Sequence, residues 1–304
     1  MTGKILVVGS INMDLVVRSP HLPRPGETTL GSGFGTYPGG KGANQAVAAA
    51  RLGAPVAMIG RVGPDAFGNA MQASLSADGV DISGVACDPE APTGVALITV
   101  DDHAENTIVV ASGANMRLSP EDVEANEALF EGASLLVMQL EIPLDTIQRA
   151  VGLARRHGLR VILNPAPAKS LAVELLEGVD VLIPNEGELL YLMGEKSLGA
   201  AMDKARQRGI RALVVTLGEQ GALLVDEAGE TRVPAYAVTA VDTTAAGDAF
   251  VGALAVALAE GKPAGEAARW ANAAAAISVT RVGAQPSLPT RAEVEAFLSE
   301  RMAH

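Results

Sequence analysis

The chain has 304 residues, of which 48% are hydrophobic, 19% charged and only 3% aromatic. This length can bury a sizeable core. The formal net charge of −12 disfavours a nucleic-acid partner, because phosphate binding needs clustered positive charge. The single cysteine, Cys87, excludes an internal disulfide framework and favours a reducing compartment, and we expect its thiol to be a small buried hydrophobe.

Neither a secretory signal nor a membrane span is expected. The apolar run that begins at Lys4 ends at Gly9, which is too short for the hydrophobic region of a signal peptide. Apolar stretches such as Ala249–Ala259 contain glycine and fall well below the roughly 18–20 residues that cross a bilayer. The sequence therefore predicts a cytoplasmic protein without a membrane partner.

Short β-branched runs alternate with alanine-rich amphipathic segments along most of the chain. The runs are continuously apolar, which is typical of strands buried on both faces, at Lys4–Val8, Val56–Ile59, Leu135–Gln139, Val161–Asn164, Val179–Ile183 and Leu213–Thr216. Helices are predicted at Ala43–Leu52, Asp65–Ala77, Pro120–Phe130, Leu144–His157, Ala201–Arg208 and Ala249–Glu260. This alternation predicts an α/β fold with a parallel sheet.

Two stretches carry strand patterns with no helix between them. They are Leu15–Arg18 with Glu27–Gly35, and Gly94–Val100 with Asn106–Ala111. The second pair flanks a short polar turn and predicts a β-hairpin. Because ligands of open α/β sheets bind beyond the carboxyl ends of the strands, a small inserted antiparallel sheet could serve as a lid there.

The segment that leads into the predicted helix at Ala249 carries the strongest chemical signal. Ala245, Ala246 and Gly247 fall at the helix N-terminus, where unpaired N–H groups and the helix dipole favour an anion. Asp248 follows in the first turn. A carboxylate beside an anion hole suits phosphoryl transfer, since it can take the proton of the attacking hydroxyl. On spacing alone, Asp248 acting only as a helix cap is an equal alternative.

A second glycine cluster lies at Gly39–Ala46. Gly35 and Gly40-Lys41 resemble the start of a P-loop, but Gly42 replaces the Ser or Thr whose hydroxyl would hold Mg²⁺, and residues 36–38 are turn-like where a strand is needed. The glycines instead suit close approach to a polyhydroxylated ligand, with Lys41 and Asn44 as donors. A plain glycine turn is the alternative.

Polar residues also follow several predicted strands. Asn12 and Asp14 come after the first strand, and Glu141 comes after the strand at Leu135–Gln139. An Asx turn is the simpler interpretation of the first two. Asn185 and Glu188 have the spacing of a capping box, which is a sufficient structural explanation for both. The glycine-rich loop Thr216–Gly221 suits a surface against a nucleotide.

Together these segments resemble the PfkB family of sugar and nucleoside kinases, also called the ribokinase family. Its N-terminal signature is matched by Gly39–Ala46 and its C-terminal signature by Asp242–Phe250. Asn185 with Glu188 matches the family's Asn-x-x-Glu element, and residues 113–115 and 164–167 are also similar. The likeness runs from about residue 4 to residue 300, and both signatures occur in the family's order.

The resemblance implies a single domain over residues 1–304, with a three-layer α/β/α body, a mostly parallel central sheet and a small β-sheet lid. The lid strands would be inserted at about residues 12–36 and 93–112, and the protein would form a homodimer through the lid sheet. The implied reaction is phosphorylation of the 5-hydroxyl of D-ribose by ATP, giving D-ribose 5-phosphate and ADP.

The family's residue roles carry over to matching positions. Asp248 would be the base, and the amides of Ala245, Ala246 and Gly247 would form the anion hole. The sugar would be held, together with Asp248, by Asn12, Asp14, Gly40, Lys41, Asn44 and Glu141. The nucleotide would lie along Asn185, Thr216, Gly218, Gly221, Gly247 and Asn272.

The resemblance also implies two metal ions. Glu188 would help to place Mg²⁺ through water, because Mg²⁺ keeps much of its hydration shell. A monovalent activator, K⁺, would lie beside the anion hole, several of its ligands being backbone carbonyls, at Asp242, Thr244, Ser278, Arg281, Gly283 and Ser287.

Three alternatives stay open at this point. Another kinase of the family would act on 2-deoxyribose, fructose, 2-keto-3-deoxygluconate or a nucleoside, and the scarcity of aromatic residues disfavours the nucleoside mildly. A non-catalytic sugar or nucleotide sensor on the same fold would have no need of Asp248. A dinucleotide oxidoreductase would need G-x-G-x-x-G after the first strand, where the chain has Gly9–Asp14 without that pattern.

Overall fold

The computed structural model describes residues 3–103, 105–227 and 229–302. The strands are β1 (Lys4–Val8), β2 (Asn12–Arg18), β3 (Gly33–Gly39), β4 (Val56–Val62), β5 (Val80–Cys87), β6 (Gly94–Val100), β7 (Asn106–Ala111), β8 (Ala133–Met138), β9 (Arg160–Leu163), β10 (Val181–Leu182), β11 (Ala212–Thr216), β12 (Ala222–Asp226) and β13 (Gly229–Val233). The α-helices are α1 (Lys41–Arg51), α2 (Ala66–Ala77), α3 (Pro120–Ala125), α4 (Leu144–His157), α5 (Val173–Leu176), α6 (Glu186–Met193), α7 (Leu198–Gln207), α8 (Ala246–Ala259), α9 (Ala264–Ser278) and α10 (Arg291–Met302).

The central sheet has nine strands in the order β13-β12-β11-β10-β9-β8-β1-β4-β5. Its neighbours pair in parallel except β11 with β12 and β12 with β13, which are antiparallel. Successive residues of a strand point to opposite faces, and β1 shows this directly. Ile5 and Val7 join one hydrophobic cluster with α1, α8 and α9, whereas Leu6 and Val8 join a second with α4, α6 and α7. The predicted three-layer α/β/α fold is confirmed.

The helix limits follow local hydrogen bonding. Helix α4 has the predicted limits and ends at Gly158, which is left-handed with a φ of 73°. Helix α3 begins at the predicted Pro120, but it ends at Ala125 instead of continuing to Phe130. The side-chain amide of Asn126 donates to the carbonyl of Asp122 and so competes with the helical backbone pattern, and a short 3₁₀ turn follows.

A second sheet of four strands, β3-β2-β6-β7, projects from the body, and we call it the lid sheet. Within it, β2 and β6 pair in parallel, and the other two pairs are antiparallel. The hairpin limits predicted for β6 and β7 are confirmed. The strand predicted at Glu27–Gly35 is wrong, because β3 covers Gly33–Gly39, including the residues interpreted as a turn. Pro38 fits in that strand since β3 is at the sheet edge, where a missing N–H breaks no ladder.

Cys87 is exposed, so the expectation of a buried thiol is wrong. It is the last residue of β5, which is an edge strand of the central sheet and so has a neighbouring strand on one side only. The sequence reasoning also left out β5 itself, the antiparallel pair β12–β13 and helices α9 and α10. Within the described residues, no helix combines the length and the apolar character that crossing a bilayer requires.

Helices α1 and α8 pack unusually closely at Gly252. A Cβ atom placed on Gly252 would lie 2.6 Å from the Cβ of Ala48, 2.9 Å from the carbonyl oxygen of Gln45 and 3.1 Å from the amide nitrogen of Ala49. Only glycine permits this approach. Asp248 precedes Gly252 by one helical turn, so the same contact brings its side chain against the start of α1.

Gly252→Val should therefore separate the two helices. We expect overpacking to lower the free energy of unfolding by about 1–3 kcal/mol, measured by urea denaturation. Gly152→Ala in α4 is the matched control, since a Cβ there meets no atom within 4 Å. That change should raise the free energy of unfolding by about 0.5–1 kcal/mol, because alanine restricts the unfolded chain and favours helix. Equal effects of the two substitutions would contradict this packing.

Candidate active site

The chain enters α8 through a strained residue. Ala245, the N-cap, has a φ of 60°, and it is the only non-glycine residue with a positive φ in the described part of the chain. The amide of Ala246 donates to the carbonyl of Thr243 at 3.2 Å, whereas those of Ala245 and Gly247 bond to no acceptor among the described residues. Two of the three amides predicted for an anion hole are thus available at the positive end of a helix.

Asp248 is 5% exposed and does not cap α8. Its carboxylate accepts two side-chain hydrogen bonds from α1: Asn44 Nδ2 donates to Oδ2 and Gln45 Nε2 donates to Oδ1, each at 2.9 Å. The interpretation of Asp248 as a simple helix cap is therefore wrong. The carboxylate is instead tied across to the glycine-rich signature more than 200 residues earlier in the chain.

The glycines of that signature pack against the protein's own backbone. A Cβ atom on Gly40, whose φ is 87°, would lie 2.6 Å from the amide nitrogen of Asn12, and one on Gly42 would lie 2.5 Å from that of Ser10. These residues are glycine because α1 starts directly on the connection between β1 and β2. This contact, and not only a ligand's approach, explains the cluster. Since α1 starts there, its first turn, which includes Asn44, lies against the start of β2, which includes Asn12.

Asn12 and Asp14 are both buried in β2. The side-chain amide of Asn115 donates to Asn12 Oδ1 at 2.7 Å, while its own oxygen accepts from the backbone amide of Ile11 at 2.8 Å. Asp14 packs on Gly39, where a Cβ atom would lie 2.3 Å from the carboxylate. These contacts hold both side chains in place. The interpretation of the two residues as an Asx turn is wrong, because β2 is a regular strand from Asn12 onward.

Glu141, in the loop after β8, contacts the start of α1 and the connection between β1 and β2. One of its carboxylate oxygens accepts from Ser10 Oγ at 2.5 Å and from the backbone amide of Lys41 at 3.2 Å. The N-terminus of α1 therefore has a carboxylate partner, as the helix dipole favours.

The side chain of Lys41 is surrounded by acids. Burial acts to lower its pKa, but Asp248, Glu141, Glu188 and Asp14 together raise the pKa of Lys41 above its ordinary value. Burial, with the charges of Glu141 and Asp248, raises the pKa of Asp14 to about 7. Burial also raises the pKa of Glu188, against the opposing effect of the Asn185 amide. The ammonium of the half-buried Lys41 thus interacts with four carboxylates, an arrangement typical of functional sites.

A cavity of about 220 Å³ lies between the lid sheet and two loops, residues 240–244 and 282–284, which contain several of the predicted cation ligands. This is several times the roughly 30 Å³ that a water molecule occupies in the liquid. Asp14 lines it from β2 and Thr243 from the loop before α8, together with Arg18, Tyr37, Asp242 and Gly283. Of the predicted site residues, the cavity is lined by Asp14 of the sugar set and by Asp242, Thr244 and Gly283 of the cation set.

Asn185 and Glu188 form the predicted capping box of α6. Asn185 Oδ1 accepts from the amide of Glu188 and Glu188 Oε2 accepts from the amide of Asn185, both at 2.8 Å. Asn185 also forms a parallel bridge to Thr216 at the end of β11. These two predicted nucleotide residues are adjacent, at the carboxyl edge of the central sheet.

Two of the other predicted nucleotide residues, Gly221 and Asn272, have structural partners, and a third, Gly218, faces open space. A Cβ atom on Gly221, whose φ is 92°, would lie 2.1 Å from the carbonyl oxygen of Val233, so its close approach is to β13. Asn272 donates to the carbonyls of Val233 and Pro234 at 3.1 and 3.0 Å. Gly218 has a φ of 57° and open space around its missing side chain. Of these three, Gly218 alone presents an unobstructed surface.

Asp242 connects the two loops predicted to hold a monovalent cation. Its carboxylate accepts from the backbone amides of Thr244 and Gly283, each at 2.8 Å. Burial acts to raise its pKa, but these hydrogen bonds hold the pKa of Asp242 below its ordinary value, with help from the charge of Arg18. The carboxylate therefore keeps the two loops side by side.

Side chains in the second loop bond to one another. Ser278 and Ser287 are fully buried, their hydroxyl oxygens are 2.8 Å apart, and Ser287 donates to the carbonyl of Ala284 at 2.7 Å. Arg281 pairs with Glu293 of α10 at 2.5 Å. The side chains of three predicted cation ligands, Ser278, Arg281 and Ser287, are therefore engaged with other protein groups.

The sequence reasoning missed several polar residues of the site. Gln45 and Gln139 are 1% and 0% exposed, and Gln45 bonds directly to Asp248. A glutamine inside an otherwise alanine-rich, buried helix face is a signal that could have indicated a polar partner. Arg18 and Tyr37, which line the cavity, could not have been found, because β3 was predicted in the wrong place and β2 gave no register.

Comparisons with known proteins place this architecture in a family. Residues 2–291 match the family model described as pfkB family carbohydrate kinase. The chain is 44% identical to a ribokinase of Haemophilus influenzae over 98% of its length and 99% of the relative's. It is 38% identical to a deoxyribokinase of Salmonella typhi, over 97% and 98% of the two chains.

Solved structures agree with this likeness. A structure of Arabidopsis thaliana ribokinase complexed with ribose and ATP has a TM-score of 0.90 and 34% identity, covering 98% of this chain and 99% of that one. A candidate ribokinase II from E. coli, in complex with ATP and Mg²⁺, has a TM-score of 0.85 and 26% identity over 98% and 99% of the two chains.

Asp14 should make stability fall as pH rises. The folded protein holds this proton up to about pH 7, while an ordinary Asp releases it near 3.8, so the free energy of unfolding decreases between those values. Asp14→Asn removes the buried charge, and we expect Tm to rise by about 3–6 °C at pH 8 and far less at pH 4.

The control for this prediction is Asp102→Asn, which changes the net charge of the protein by the same amount but replaces an exposed carboxylate. It should change Tm little at either pH. A gain for Asp14→Asn that is equal at pH 4 and pH 8 would contradict the assigned environment of Asp14.

Proposed function

The chain belongs to the pfkB family of carbohydrate kinases, and we propose that it transfers the γ-phosphoryl group of ATP to the 5-hydroxyl of D-ribose, giving D-ribose 5-phosphate and ADP. The observation that carries this proposal is the placement of Asp248, a buried carboxylate one residue beyond the unpaired amide of Gly247. A proton acceptor next to an anion site is what phosphoryl transfer to an alcohol requires. A sensor would have no use for it.

In the proposed reaction, Asp248 accepts the proton of the 5-hydroxyl as that oxygen attacks the γ-phosphorus, and ADP leaves on the opposite side. The amides of Ala245, Ala246 and Gly247 stabilise the negative charge that develops on the transferring group. The amide of Ala246 must first exchange its bond to Thr243 for one to the phosphoryl oxygen. Ala245, the N-cap of α8, has a left-handed backbone conformation, and no side chain caps the helix by bonding to these amides.

The sugar is proposed to bind among the polar side chains of β2, α1 and the loop after β8, namely Asn12, Asp14, Gly40, Lys41, Asn44 and Glu141. Asn44 supports this most directly: its Nδ2 holds Asp248, but its Oδ1 is buried with no hydrogen-bond partner among the described residues. A buried acceptor without a donor is costly. A sugar hydroxyl would supply that donor beside the base.

The nucleotide is proposed to lie along the carboxyl edge of the sheet, near Asn185, Thr216, Gly218, Gly221, Gly247 and Asn272. Support comes from the bridge between Asn185 and Thr216 and from the open surface at Gly218. In open α/β sheets this edge is where ligands bind. Gly221 and Asn272 would contribute to nucleotide binding indirectly, by holding β13 and the loop after it in position.

Mg²⁺ is proposed to accompany ATP, with Glu188 contributing through water. Glu188 suits this role because only one of its oxygens is used by the capping box. It also lies close enough to Asp248 for the charge of Asp248 to contribute to raising the pKa of Glu188. In the described residues, no three His, Cys, Asp or Glu side chains form a preformed metal cluster. When bound, Mg²⁺ would neutralise charge on the phosphates.

We also propose a K⁺ site at Asp242, Thr244, Ser278, Arg281, Gly283 and Ser287, mostly through carbonyl oxygens. The residues fit such an ion because Asp242 already draws the two loops together and the serine hydroxyls are occupied with each other. A cation there would act electrostatically on the loop that leads into Ala245.

A homodimer through the lid sheet is proposed from its outer face. Val17 pairs with Phe34 in register and Leu97 with Val109, on the face opposite the cavity. All four are exposed, Phe34 and Val109 by 69% and 65%. A contiguous apolar face of this kind marks an interface. The cytoplasmic location expected from the sequence stays a prediction.

A substrate panel with coupled ADP detection tests the reaction. We expect D-ribose to be phosphorylated faster than fructose or adenosine, with 2-deoxyribose as the nearest competitor, since a deoxyribokinase is among the relatives. Asp248→Asn should lower kcat by about 10²–10⁴-fold, the usual contribution of a general base, while ribose still binds in a thermal-shift assay. Preferred turnover of fructose or adenosine, or an active Asp248→Asn variant, would refute the proposal.

Sedimentation tests the dimer separately. Phe34→Glu should convert the dimer to a monomer, because a carboxylate would be buried in an apolar interface. Tyr191→Glu is the control, since Tyr191 is 60% exposed on α6, away from the lid sheet. A wild-type monomer, or a dimer unaffected by Phe34→Glu, would be inconsistent with this interface.

A further inference from the structure

A chain of buried side-chain amides leads from the ends of three strands to Asp248. Gln139 follows β8 and Asn164 follows β9; they are 0% and 9% exposed. Gln139 Nε2 donates to Gln45 Oε1 at 2.6 Å, and Gln45 Nε2 donates to Asp248 Oδ1 at 2.9 Å and to Asn164 Oδ1 at 3.2 Å. The nitrogen of Asn164 in turn donates to the carbonyl of Ile183, after β10, at 2.7 Å.

These bonds determine which way the amide of Gln45 faces. Its nitrogen has two acceptors, Asp248 and Asn164, and its oxygen has one donor, Gln139. Turning the amide over would put its oxygen against a carboxylate oxygen and an amide oxygen, and would put its nitrogen against the nitrogen of Gln139. The network therefore keeps an N–H directed at Oδ1 of Asp248.

We propose that Gln45 is a positioning residue for the base, with Gln139 as its support. The proposal rests on the proposed function of Asp248 as proton acceptor. Gln45 and Asn44 each take one oxygen of the carboxylate, so together they fix its plane. A carboxylate fixed in this way presents its remaining lone pairs to the sugar hydroxyl in one orientation, which contributes to rate through alignment.

The same bond stabilises the negative charge of the carboxylate, because a donated N–H interacts more strongly with a charged carboxylate oxygen than with the neutral acid. The charged groups that interact with the charge of Asp248 are Lys41 from α1, Asp14 from β2 and Glu188 from α6. Because Gln45 is uncharged, replacing it leaves all of these in place. A shift in the acid limb of the pH–kcat profile would then report the lost hydrogen bond.

The decisive variant is Gln45→Met, which keeps the length of the side chain and removes both hydrogen-bonding groups. We expect kcat for ribose phosphorylation to fall about 10–100-fold, as misalignment of a reacting group allows. The KM for ribose should stay within about threefold, because the lost contact acts in the transition state more than in binding. The acid limb of the pH–kcat profile should move to higher pH.

Gln139→Met separates positioning from general stabilisation. Gln139 Oε1 is buried with no hydrogen-bond partner among the described residues, so methionine removes one unpaired acceptor, while Gln45 Oε1 loses its donor and becomes another. Because these two changes offset, we expect Tm to stay close to that of the wild type, while kcat falls and the acid limb moves in the same direction as in Gln45→Met. A purely structural role would link lower activity to lower stability. Gln72→Met, on the half-buried face of α2, is the control and should match the wild type.

The outcomes separate this proposal from the one it depends on. Wild-type protein that does not phosphorylate ribose with ATP would overturn the proposed function and, with it, the role of Gln45. An active wild type whose Gln45→Met and Gln139→Met variants keep kcat and the pH profile would overturn only the positioning role. Should Gln45→Met not fold, Gln139→Met decides alone, since it contacts neither Asp248 nor the proposed sugar site.

Discussion

The contact between α1 and α8 at Gly252 is the constraint on which the proposed site depends. It brings the two family signatures, separated by about two hundred residues, into hydrogen-bonding contact. Asp248 belongs to one signature and Asn44 and Gln45 to the other, and the carboxylate accepts from both. Any side chain on Gly252 would separate the helices and so remove the donors from the base. A packing requirement and a chemical requirement thus meet at one residue.

Charge is distributed in keeping with this arrangement. The protein is strongly acidic, yet its proposed ligands are anions and sugars. Backbone amides at the start of α8, one lysine among four carboxylates and neutral side-chain amides supply the binding groups. Such a site needs no basic surface, because fixed dipoles in a buried setting replace it. The acidic composition argued against nucleic acid and said nothing against ATP.

Much of the architecture could be predicted from local patterns. Continuous apolar runs indicated the parallel strands, and the limits of β1, β6, β7 and α4 were correct because their boundaries carry clear polar or glycine signals. The strand β3 was misplaced since Pro38 is tolerated only at an edge, which a single sequence does not reveal. Asp248 lies in the first turn of α8, as predicted. The buried amides of Gln45 and Gln139, which connect to it, were not found, because tertiary packing decides which buried amides meet.

A crystal structure of the protein with D-ribose and a non-hydrolysable ATP analogue would test the central claim most directly. We expect the 5-hydroxyl oxygen of ribose within about 3 Å of a carboxylate oxygen of Asp248, with the γ-phosphate analogue at the amides of Ala245 and Gly247 and the bond from Gln45 to Asp248 retained. A sugar whose 5-hydroxyl lies beyond hydrogen-bonding reach of Asp248, or a phosphate bound away from the start of α8, would contradict the account.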